Sequence, residues 1–261
     1  MDVIIQMPNK VYGIITCYYE KYKENAVNEF CEILRHVSKD YTLIIVNNTS
    51  LASFETKNKK IIEMNSSNDL WEFSAWDDSI QYLRENFPLN KNDTLIFAND
   101  TFCHHRWFGK YKKLMFILSF LGLKYFPFKN RIIGERCSFP SSYKVFNQKT
   151  SHWISTYLFG VIYKDIEKLF PFSTVNLYNQ DDFFILEKNK IQVNNSSPEF
   201  ELHLNNWLFP KEGNDGSWYL SNNQDQELLK MKLIAILNEK LLSVHAKKNN
   251  IQLTHYDFLN K

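Results

Sequence analysis

The sequence predicts an α/β protein with a mainly parallel central sheet flanked by helices. Segments with strand character alternate with segments of helical periodicity through the first hundred residues, and this alternation is typical of βαβ units in a parallel sheet. Short polar clusters follow three of the predicted strands. Because ligands of open parallel sheets bind beyond the carboxyl ends of the strands, these clusters indicate a site at that edge.

The first half carries four predicted strands and two predicted helices. The strands are short runs rich in β-branched and other apolar residues, at Val11–Thr16, Tyr41–Val46, Lys60–Met64 and Thr94–Ala98. Apolar residues recur at helical spacing over Lys23–Val37, which predicts a helix with one buried face. A second helix is expected over 71–86, after a polar loop whose last residues can cap it.

The second half is less regular, and its C-terminal part is predicted to be helical. Helices are expected at 107–123, 154–170, 198–208 and 224–249. The triplet Ser197-Pro198-Glu199 offers an N-cap, a first-turn proline and an acidic residue to the third of them. No repeat and no low-complexity linker divides the sequence. We therefore expect one domain over 1–261, with halves at 1–106 and 107–261.

Composition and charge exclude several classes of protein. The 261 residues are 44% hydrophobic, which excludes intrinsic disorder as the main state. Lys and Arg number 31 against 29 Asp and Glu, so the net charge of +2 predicts no nucleic-acid partner. The four cysteines form no C-x-x-C pair, which fits a reducing compartment.

Neither a signal peptide nor a membrane span is predicted. The first residues lack a basic stretch followed by an apolar region. The longest apolar run, Leu114–Leu123, is about half as long as the roughly 20 residues that cross a membrane. We expect a soluble, cytoplasmic protein, and a contact of this run with a membrane surface stays open.

Several common catalytic signatures are absent from the sequence. The turn after the first predicted strand has no G-x-G-x-x-G, and neither a P-loop nor an H-E-x-x-H pair occurs. No G-x-S-x-G elbow is present either. These absences argue against a standard dinucleotide site, a P-loop nucleotidase and the common hydrolases.

The segment Phe97–Arg106 is the densest candidate for chemistry. Asp100 directly follows a predicted buried strand, where a carboxylate can hold a divalent cation that bridges a diphosphate. His104, His105 and Arg106 add partners for phosphate oxygens. An equally supported interpretation is a strand-end turn in which Asp100 caps the following helix.

Two further segments combine aromatic and polar residues. In Trp71–Asp78 the rings can stack on a base or ribose, although packing of the two tryptophans against the sheet is the favoured interpretation of the rings. Trp153–Tyr157 offers hydroxyl groups beside an aromatic ring, a combination that binds sugars. A helix start capped by Ser151 or Ser155 is the more frequent case for that pattern.

Three carboxylates are candidates for acid–base chemistry. Asp181 and Asp182 precede an apolar run, and one member of such a pair can have a raised pKa and act as a base. A solvated turn is the alternative. Glu239 lies in the last predicted helix, where pairing with a surface lysine is the alternative. The lysines of that helix form a solvated face or contact anionic lipid.

The order of these segments resembles a family of bacterial polysaccharide-assembly glycosyltransferases. The succession reads EFSAWDDSIQYL, DTLIFANDTFCHHRWFG, GE and HWISTYLFGV. It is similar to rhamnan-synthesis, lipopolysaccharide and capsule enzymes with a GT-A type, Rossmann-like nucleotide-binding fold. The resemblance covers roughly Val11–Phe170, and Lys232–Ser243 more loosely. Its most specific part is Phe97–Arg106.

The resemblance also implies a position for the metal. GT-A enzymes usually hold a metal and the donor diphosphate with an Asp-x-Asp motif at the end of a central strand. The corresponding Asn99-Asp100-Thr101 keeps one acid. Either Asp100 binds Mn²⁺ or Mg²⁺ alone, or the basic residues that follow it neutralise the phosphates, so metal dependence stays open.

The remaining site residues follow from the same resemblance. Those implied to bind the nucleotide-sugar are Thr16, Cys17, Asn47, Asn48, Asp77, Asn99, Asp100, Thr101, His104, His105 and Arg106. Those implied to face the sugar or acceptor are Trp153, Ser155 and Thr156. The base that deprotonates the acceptor is expected to be Asp181 or Asp182, with Glu239 as the second choice.

The sequence thus predicts a hexosyltransferase-type enzyme that moves a sugar from a nucleotide-sugar to a growing surface glycan. The glycan would be lipopolysaccharide, O-antigen or capsule, and the acceptor a glycan or lipid-linked glycan. Residues 1–106 would bind the nucleotide and 107–261 the acceptor, in the cytoplasm or at the inner face of the cytoplasmic membrane. The alternative is a catalytically inactive relative that serves as an interaction module.

Overall fold

A seven-stranded sheet lies at the centre of the computed structural model, which describes residues 9–49, 60–104, 107–187, 190–209 and 225–257. The strands are β1 (Val11–Cys17), β2 (Tyr41–Asn47), β3 (Ile61–Asn65), β4 (Thr94–Asn99), β5 (Arg131–Val145), β6 (Gln148–Ile162), β7 (Phe184–Glu187), β8 (Lys190–Val193) and β9 (Gln252–His255). The helices are α1 (Glu20–Val37), α2 (Glu72–Asn86), α3 (Lys110–Tyr125), α4 (Tyr163–Leu169), α5 (Pro198–Leu208) and α6 (Gln226–Lys248).

The central sheet has the strand order β3-β2-β1-β4-β6-β5-β9. Strands β1 to β4 run parallel to one another, β6 is antiparallel to β4 and β5, and β9 is parallel to β5. The remaining pair, β7 and β8, forms a separate antiparallel hairpin. The predicted α/β class, with a mostly parallel central sheet flanked by helices, is confirmed.

Both faces of the sheet are buried. Alternate residues of each strand point to opposite sides, so each strand contributes to two clusters. Val11 and Ile15 of β1 pack in the cluster formed with α1 and α3. Tyr12 and Ile14 of the same strand pack in the cluster formed with α2 and Trp76. Trp76 is fully buried and contacts the sheet, so the packing interpretation of that ring is correct.

A third cluster joins the outer ends of β5 and β6 to the hairpin, α5 and α6. Pro198 occupies the first turn of α5, and the Asp225 side chain caps α6 by accepting a hydrogen bond from the Glu227 N–H at 3.1 Å. The C-terminal part is therefore helical, as expected, and also contains the hairpin and the edge strand β9.

The helix expected over 154–170 is wrong for most of its length. Residues 148–162 form β6, and only Tyr163–Leu169 are helical. Strand β6 lies between β4 and β5. Its residues 154–162 are all buried, so side chains on both faces of the strand are covered. A strand covered on both faces is a continuous apolar run, which periodicity alone does not distinguish from a buried helix.

Helix α3 begins at Lys110, three residues later than expected. Its buried face packs against the sheet and α1 through Phe116, Phe120 and Leu123. Over the described ranges, no helix combines the length and the apolar character needed to span a membrane.

Candidate functional site

Two adjoining cavities lie beyond the carboxyl ends of β1, β2 and β4. The strand-end cavity, about 420 Å³, is lined by Thr16, Tyr18, Tyr19, Asn48, Asn68, Trp71, Glu72, Asn99, Asp100, Thr101, Leu228 and Lys232. The helix-side cavity, about 330 Å³, is lined by Glu72, Asn99, Thr101, Cys137, Trp153, Ser155, Thr156, Tyr157, His203, Leu204, Trp207, Lys232, Ala235, Ile236, Glu239 and Lys240. The two share Glu72, Asn99, Thr101 and Lys232, so one junction connects them.

Three residues that line the strand-end cavity each carry a buried polar atom without a partner among the described residues. The atoms are Thr16 Oγ1, Asn48 Oδ1 and Asn68 Oδ1. Thr16 and Asn48 come from the neighbouring ends of β1 and β2, which pair in register. An unpartnered buried polar group costs about 1–3 kcal/mol, so the ends of β1 and β2 combine a cavity wall with polar atoms that the described residues leave unpaired.

Aromatic rings form the other part of the strand-end cavity. Tyr18 and Tyr19 meet edge to face with ring centroids 4.9 Å apart. Trp71, the residue before α2, has φ 56° and ψ −132°, a backbone conformation that is strained for a bulky L-residue. Its carbonyl accepts a hydrogen bond from Asn48 Nδ2 at 2.7 Å, and this bond holds the strained residue at the cavity.

Asp100 both lines the cavity and caps a helix. Its Oδ2 accepts hydrogen bonds from the backbone N–H groups of Tyr18 at 2.7 Å and Tyr19 at 2.6 Å, immediately before α1. Burial raises the pKa of this carboxyl group, and the two N–H donors partly offset that effect. The expected capping role is therefore present, but the capped helix is α1 rather than the helix that follows Asp100.

The described residues do not fit a divalent cation held by the protein alone. Within the ranges given above, no group of three or more His, Cys, Asp or Glu side chains is arranged to hold a metal ion. The one acid of the Asn-Asp-Thr segment has an oxygen that already accepts two backbone hydrogen bonds. We derive no chemical step through a metal.

An ion pair and two hydrogen bonds fix Glu239 in the helix-side cavity. Glu239 Oε2 accepts hydrogen bonds from Thr156 N at 2.9 Å and Thr156 Oγ1 at 3.0 Å, and its Oε1 lies 2.8 Å from Lys240 Nζ. Burial alone would raise the pKa of Glu239, but Lys240 and Thr156 outweigh it and hold the pKa below its usual range. Lys240 Nζ also lies 3.6 Å from the centroid of the Trp153 ring.

Opposite charges face each other at the junction of the cavities. Glu72 is the first residue of α2, and burial raises the pKa of its carboxyl group. Lys232 of α6 lies over the rings of Trp71 and Trp207, with Nζ 5.0 and 5.8 Å from their centroids. Burial lowers the pKa of Lys232, and the charges of Glu72 and Glu239 partly offset it.

The structure brings together nine of the predicted site residues, near the carboxyl ends of β1, β2 and β4, in the middle of β6 and on α6. Thr16, Asn48, Asn99, Asp100 and Thr101 line the strand-end cavity. Trp153, Ser155, Thr156 and Glu239 line the helix-side cavity. The first three of these lie on β6 and not on a capped helix.

Three residues predicted to contact the nucleotide do not line either cavity. Cys17 is fully buried in the core beside α1. Asn47 Nδ2 donates to Glu63 Oε1 at 2.7 Å. The Asp77 carboxylate accepts hydrogen bonds from the backbone N–H groups of Phe172 and Ser173 at 2.8 and 2.9 Å, so it anchors the loop after α4.

The predicted bases and basic residues are also separated from the cavities. Asp181 and Asp182 lie exposed in a short 3₁₀ helix before β7 and line neither cavity. The solvated turn is therefore the better description of that pair. His104 stacks on the Tyr22 ring, with centroids 4.3 Å apart. His105 and Arg106 fall outside the described residues.

Several lining residues were missing from the predicted site. The most informative are Tyr18, Tyr19, Glu72, Lys232 and Lys240. Lys232, Ile236, Glu239 and Lys240 recur at helical spacing on α6 and all line the helix-side cavity. This spacing was a usable signal, since it places three charged residues on one face of the helix.

Comparison with known proteins adds little to this geometry. No protein-family profile matches the sequence, and no curated protein does. A total of 22 chains of solved structures match the fold. One of them is a crystal structure of a 4-diphosphocytidyl-2C-methyl-D-erythritol synthase, with 8% sequence identity and a TM-score of 0.41, covering 62% of this chain and 79% of that chain. At that TM-score the likeness carries no argument, and the fold assignment rests on strand order and pairing.

Proposed function

We propose that the protein is a nucleotide-sugar-dependent glycosyltransferase that binds its donor in the strand-end cavity and its acceptor in the helix-side cavity. The observation that carries the proposal is that Thr16, Asn48 and Asn68, which line the strand-end cavity beside aromatic residues, each hold a polar side-chain atom without a partner among the described residues. A nucleoside offers hydrogen-bonding base edges and ribose hydroxyls together with a flat face for stacking. This chemistry matches the lining of the strand-end cavity.

In this proposal Lys232 supplies positive charge to the leaving diphosphate. Lys232 lines both cavities at their junction, which is where the bond between donor sugar and diphosphate would lie. A buried ammonium group stabilises developing negative charge more strongly than an exposed one, because the local dielectric is low. The reaction is therefore proposed to run without a divalent cation, with Lys232 in place of the second acid that the Asn-Asp-Thr segment lacks.

Glu72 and Glu239 divide the remaining roles. Their environments shift the two pKa values in opposite directions, a pattern that separates a proton-exchanging group from a permanently ionised one. Glu239 stays ionised and positions Thr156 and Lys240. Glu72, whose raised pKa is closer to neutral pH, is proposed as the base in place of Asp181 or Asp182.

The proposed reaction is a substitution at the anomeric carbon of the donor sugar. The acceptor oxygen bonds to the anomeric carbon while the bond from that carbon to the diphosphate breaks. The hydroxyl proton moves to Glu72, and the bonding electron pair leaves with the nucleoside diphosphate next to Lys232. The acceptor sugar is proposed to lie in the helix-side cavity near Trp153, Ser155 and Thr156 of β6, where hydroxyl groups beside an aromatic side chain suit a carbohydrate. From the family resemblance, we propose a growing bacterial surface glycan as the acceptor.

A matched pair of threonines tests the position of the donor. Thr16→Val and Thr94→Val each remove a buried hydroxyl that has no partner among the described residues, one at the cavity end of its strand and one at the opposite end. Thermal-shift titrations would use nucleoside diphosphates and their sugar conjugates, with and without Mn²⁺. We expect one donor to stabilise wild type without metal, Thr94→Val to keep this shift, and Thr16→Val to reduce it.

The same titrations separate the transferase from an inactive interaction module. Hydrolysis or transfer of the stabilising donor, lost in Glu72→Gln while donor binding is kept, supports the enzyme. Binding without any turnover, by wild type with candidate acceptors, would favour the inactive module. If no nucleotide stabilises the folded protein, the proposed function is wrong.

A further inference from the structure

An apolar ridge of exposed side chains runs along α3 and the turn after it. We define the ridge by Trp107, Tyr111, Leu114, Tyr125, Phe126 and Phe128. Trp107, Tyr125 and Phe128 are 77%, 66% and 69% exposed. Large exposed apolar groups concentrated in one segment mark a surface that contacts another apolar phase.

The ridge faces away from the protein core. The opposite side of α3 carries Phe116, Phe120 and Leu123, which are fully buried against the sheet and α1. Tyr111, Leu114 and Tyr125 recur at helical spacing on the outer side. The apolar run of α3 thus serves two purposes, because one face builds the core and the other remains exposed.

The charge of the same segment is strongly one-sided. Residues 107–134 contain six Lys and Arg and no Asp or Glu, in a chain whose totals are 31 and 29. Four of these cations have protein partners. Lys112 pairs with Glu135 at 3.1 Å and Lys113 with Glu29 and Glu32 at 2.7 and 2.8 Å, while Lys124 and Arg131 donate to backbone carbonyl groups. Lys110 and Lys129 are exposed at the two ends of the ridge. The ridge therefore presents aromatic rings flanked by positive charge.

Exposed aromatic rings with flanking lysines suit the surface of a lipid bilayer. Trp, Tyr and Phe favour the headgroup region of a bilayer, where their rings are partly buried, and flanking lysines attract anionic lipid. A symmetric contact between two copies would instead bring like charges together. We propose that the ridge docks the protein on the surface of an anionic lipid bilayer without spanning it. The proposal does not depend on the proposed glycosyltransferase activity.

Vesicle co-sedimentation of the full chain tests this docking. The probes are vesicles of phosphatidylcholine alone and of phosphatidylcholine mixed with phosphatidylglycerol. We expect wild type to bind the mixed vesicles, and Leu114→Asp with Phe128→Asp to weaken binding at least about tenfold. The matched control is Leu202→Asp with Tyr178→Asp, which changes two residues elsewhere that are more exposed than Leu114 and Phe128 and should bind like wild type.

A charge-reversal pair keeps the test independent of apolar substitutions. Lys110→Glu with Lys129→Glu alters only exposed lysines and should weaken binding to the mixed vesicles at least about tenfold. The control, Lys144→Glu with Lys190→Glu, changes two exposed lysines on β5 and β8 and should not. Thermal melting confirms that each variant is folded.

Three results would overturn the proposal. The first is a wild-type protein that binds neither vesicle. The second is unchanged binding in either ridge variant. The third is a concentration-dependent dimer in analytical ultracentrifugation that the Leu114→Asp, Phe128→Asp variant abolishes, which would show that the ridge joins two copies of the chain.

Discussion

Asp100 at the end of β4 accepts a 2.6 Å hydrogen bond from the backbone N–H of Tyr19, the residue that precedes α1. The same carboxylate oxygen accepts the N–H of Tyr18. The helix has no capping hydrogen bond from its own N-cap side chain, so Asp100 supplies the acceptor from a neighbouring strand. The sequence offered the Asp100 carboxylate as a metal ligand or as a helix cap, and in the structure it caps α1.

This relationship predicts a stability effect at Asp100 in the absence of any ligand. Asp100→Ala leaves the N–H groups of Tyr18 and Tyr19, at a partly exposed helix start, without their acceptor, and should lower the free energy of unfolding by about 2–3 kcal/mol. Asp100→Asn keeps an acceptor oxygen and should cost less than about 1.5 kcal/mol. Urea unfolding measures both. Equal stability of Asp100→Ala and wild type would contradict the capping role.

The lowered pKa of Glu239 predicts a pH-dependent contribution to stability. A carboxyl group whose folded pKa lies below its unfolded value stabilises the fold above the unfolded pKa, and this stabilisation is lost as pH falls through the folded pKa. Glu239→Gln should therefore lose stability at neutral pH and approach wild type in acid. Urea titrations from pH 7 to the acid range measure the difference. A difference that is constant with pH would contradict the assignment.

The backbone conformation of Trp71 predicts that glycine is more stable than alanine at this position, which is the reverse of their order inside an α-helix. With φ at 56° and ψ at −132°, Trp71→Gly should be more stable than Trp71→Ala by about 1–2 kcal/mol, because glycine adopts this conformation without strain. At Leu202, inside α5 and exposed, alanine should be the more stable by about 1 kcal/mol. The two pairs are compared by chemical denaturation. The same order at both positions would argue against the strained conformation.

The buried contact of Lys23 with Glu63 predicts an asymmetry between two ion pairs. Lys23 Nζ lies 2.6 Å from Glu63 Oε1, and its side chain is 4% exposed. Glu63→Gln removes the charge facing a buried ammonium and should cost about 3 kcal/mol. Asp40, paired with Lys60, is 77% exposed, so Asp40→Asn should cost less than about 1 kcal/mol. Calorimetry of both variants checks the contrast, and similar losses would contradict it.

Local sequence patterns determined most of the first hundred residues. Strands β1 and β2 follow from short β-branched runs, and α1 follows from apolar residues at helical spacing. The chain order also placed Asp100 at the end of a buried strand, at the edge of the sheet where the strand-end cavity lies. These features depend on residues close together in sequence, whose propensities and periodicity are visible without the fold.

Tertiary structure alone decided the identity of β6 and the composition of the helix-side cavity. Residues 148–162 became a strand because β4 and β5 offer hydrogen-bonding edges on both sides, which no local pattern records. Glu72 and Lys232 both line the junction of the cavities, although their positions in the sequence differ by 160. Asp181 and Asp182, equally plausible as acids by sequence, lie outside both cavities. Which charges meet depends on how distant elements pack, and that packing sets the burial and the pKa values on which the proposed chemistry relies.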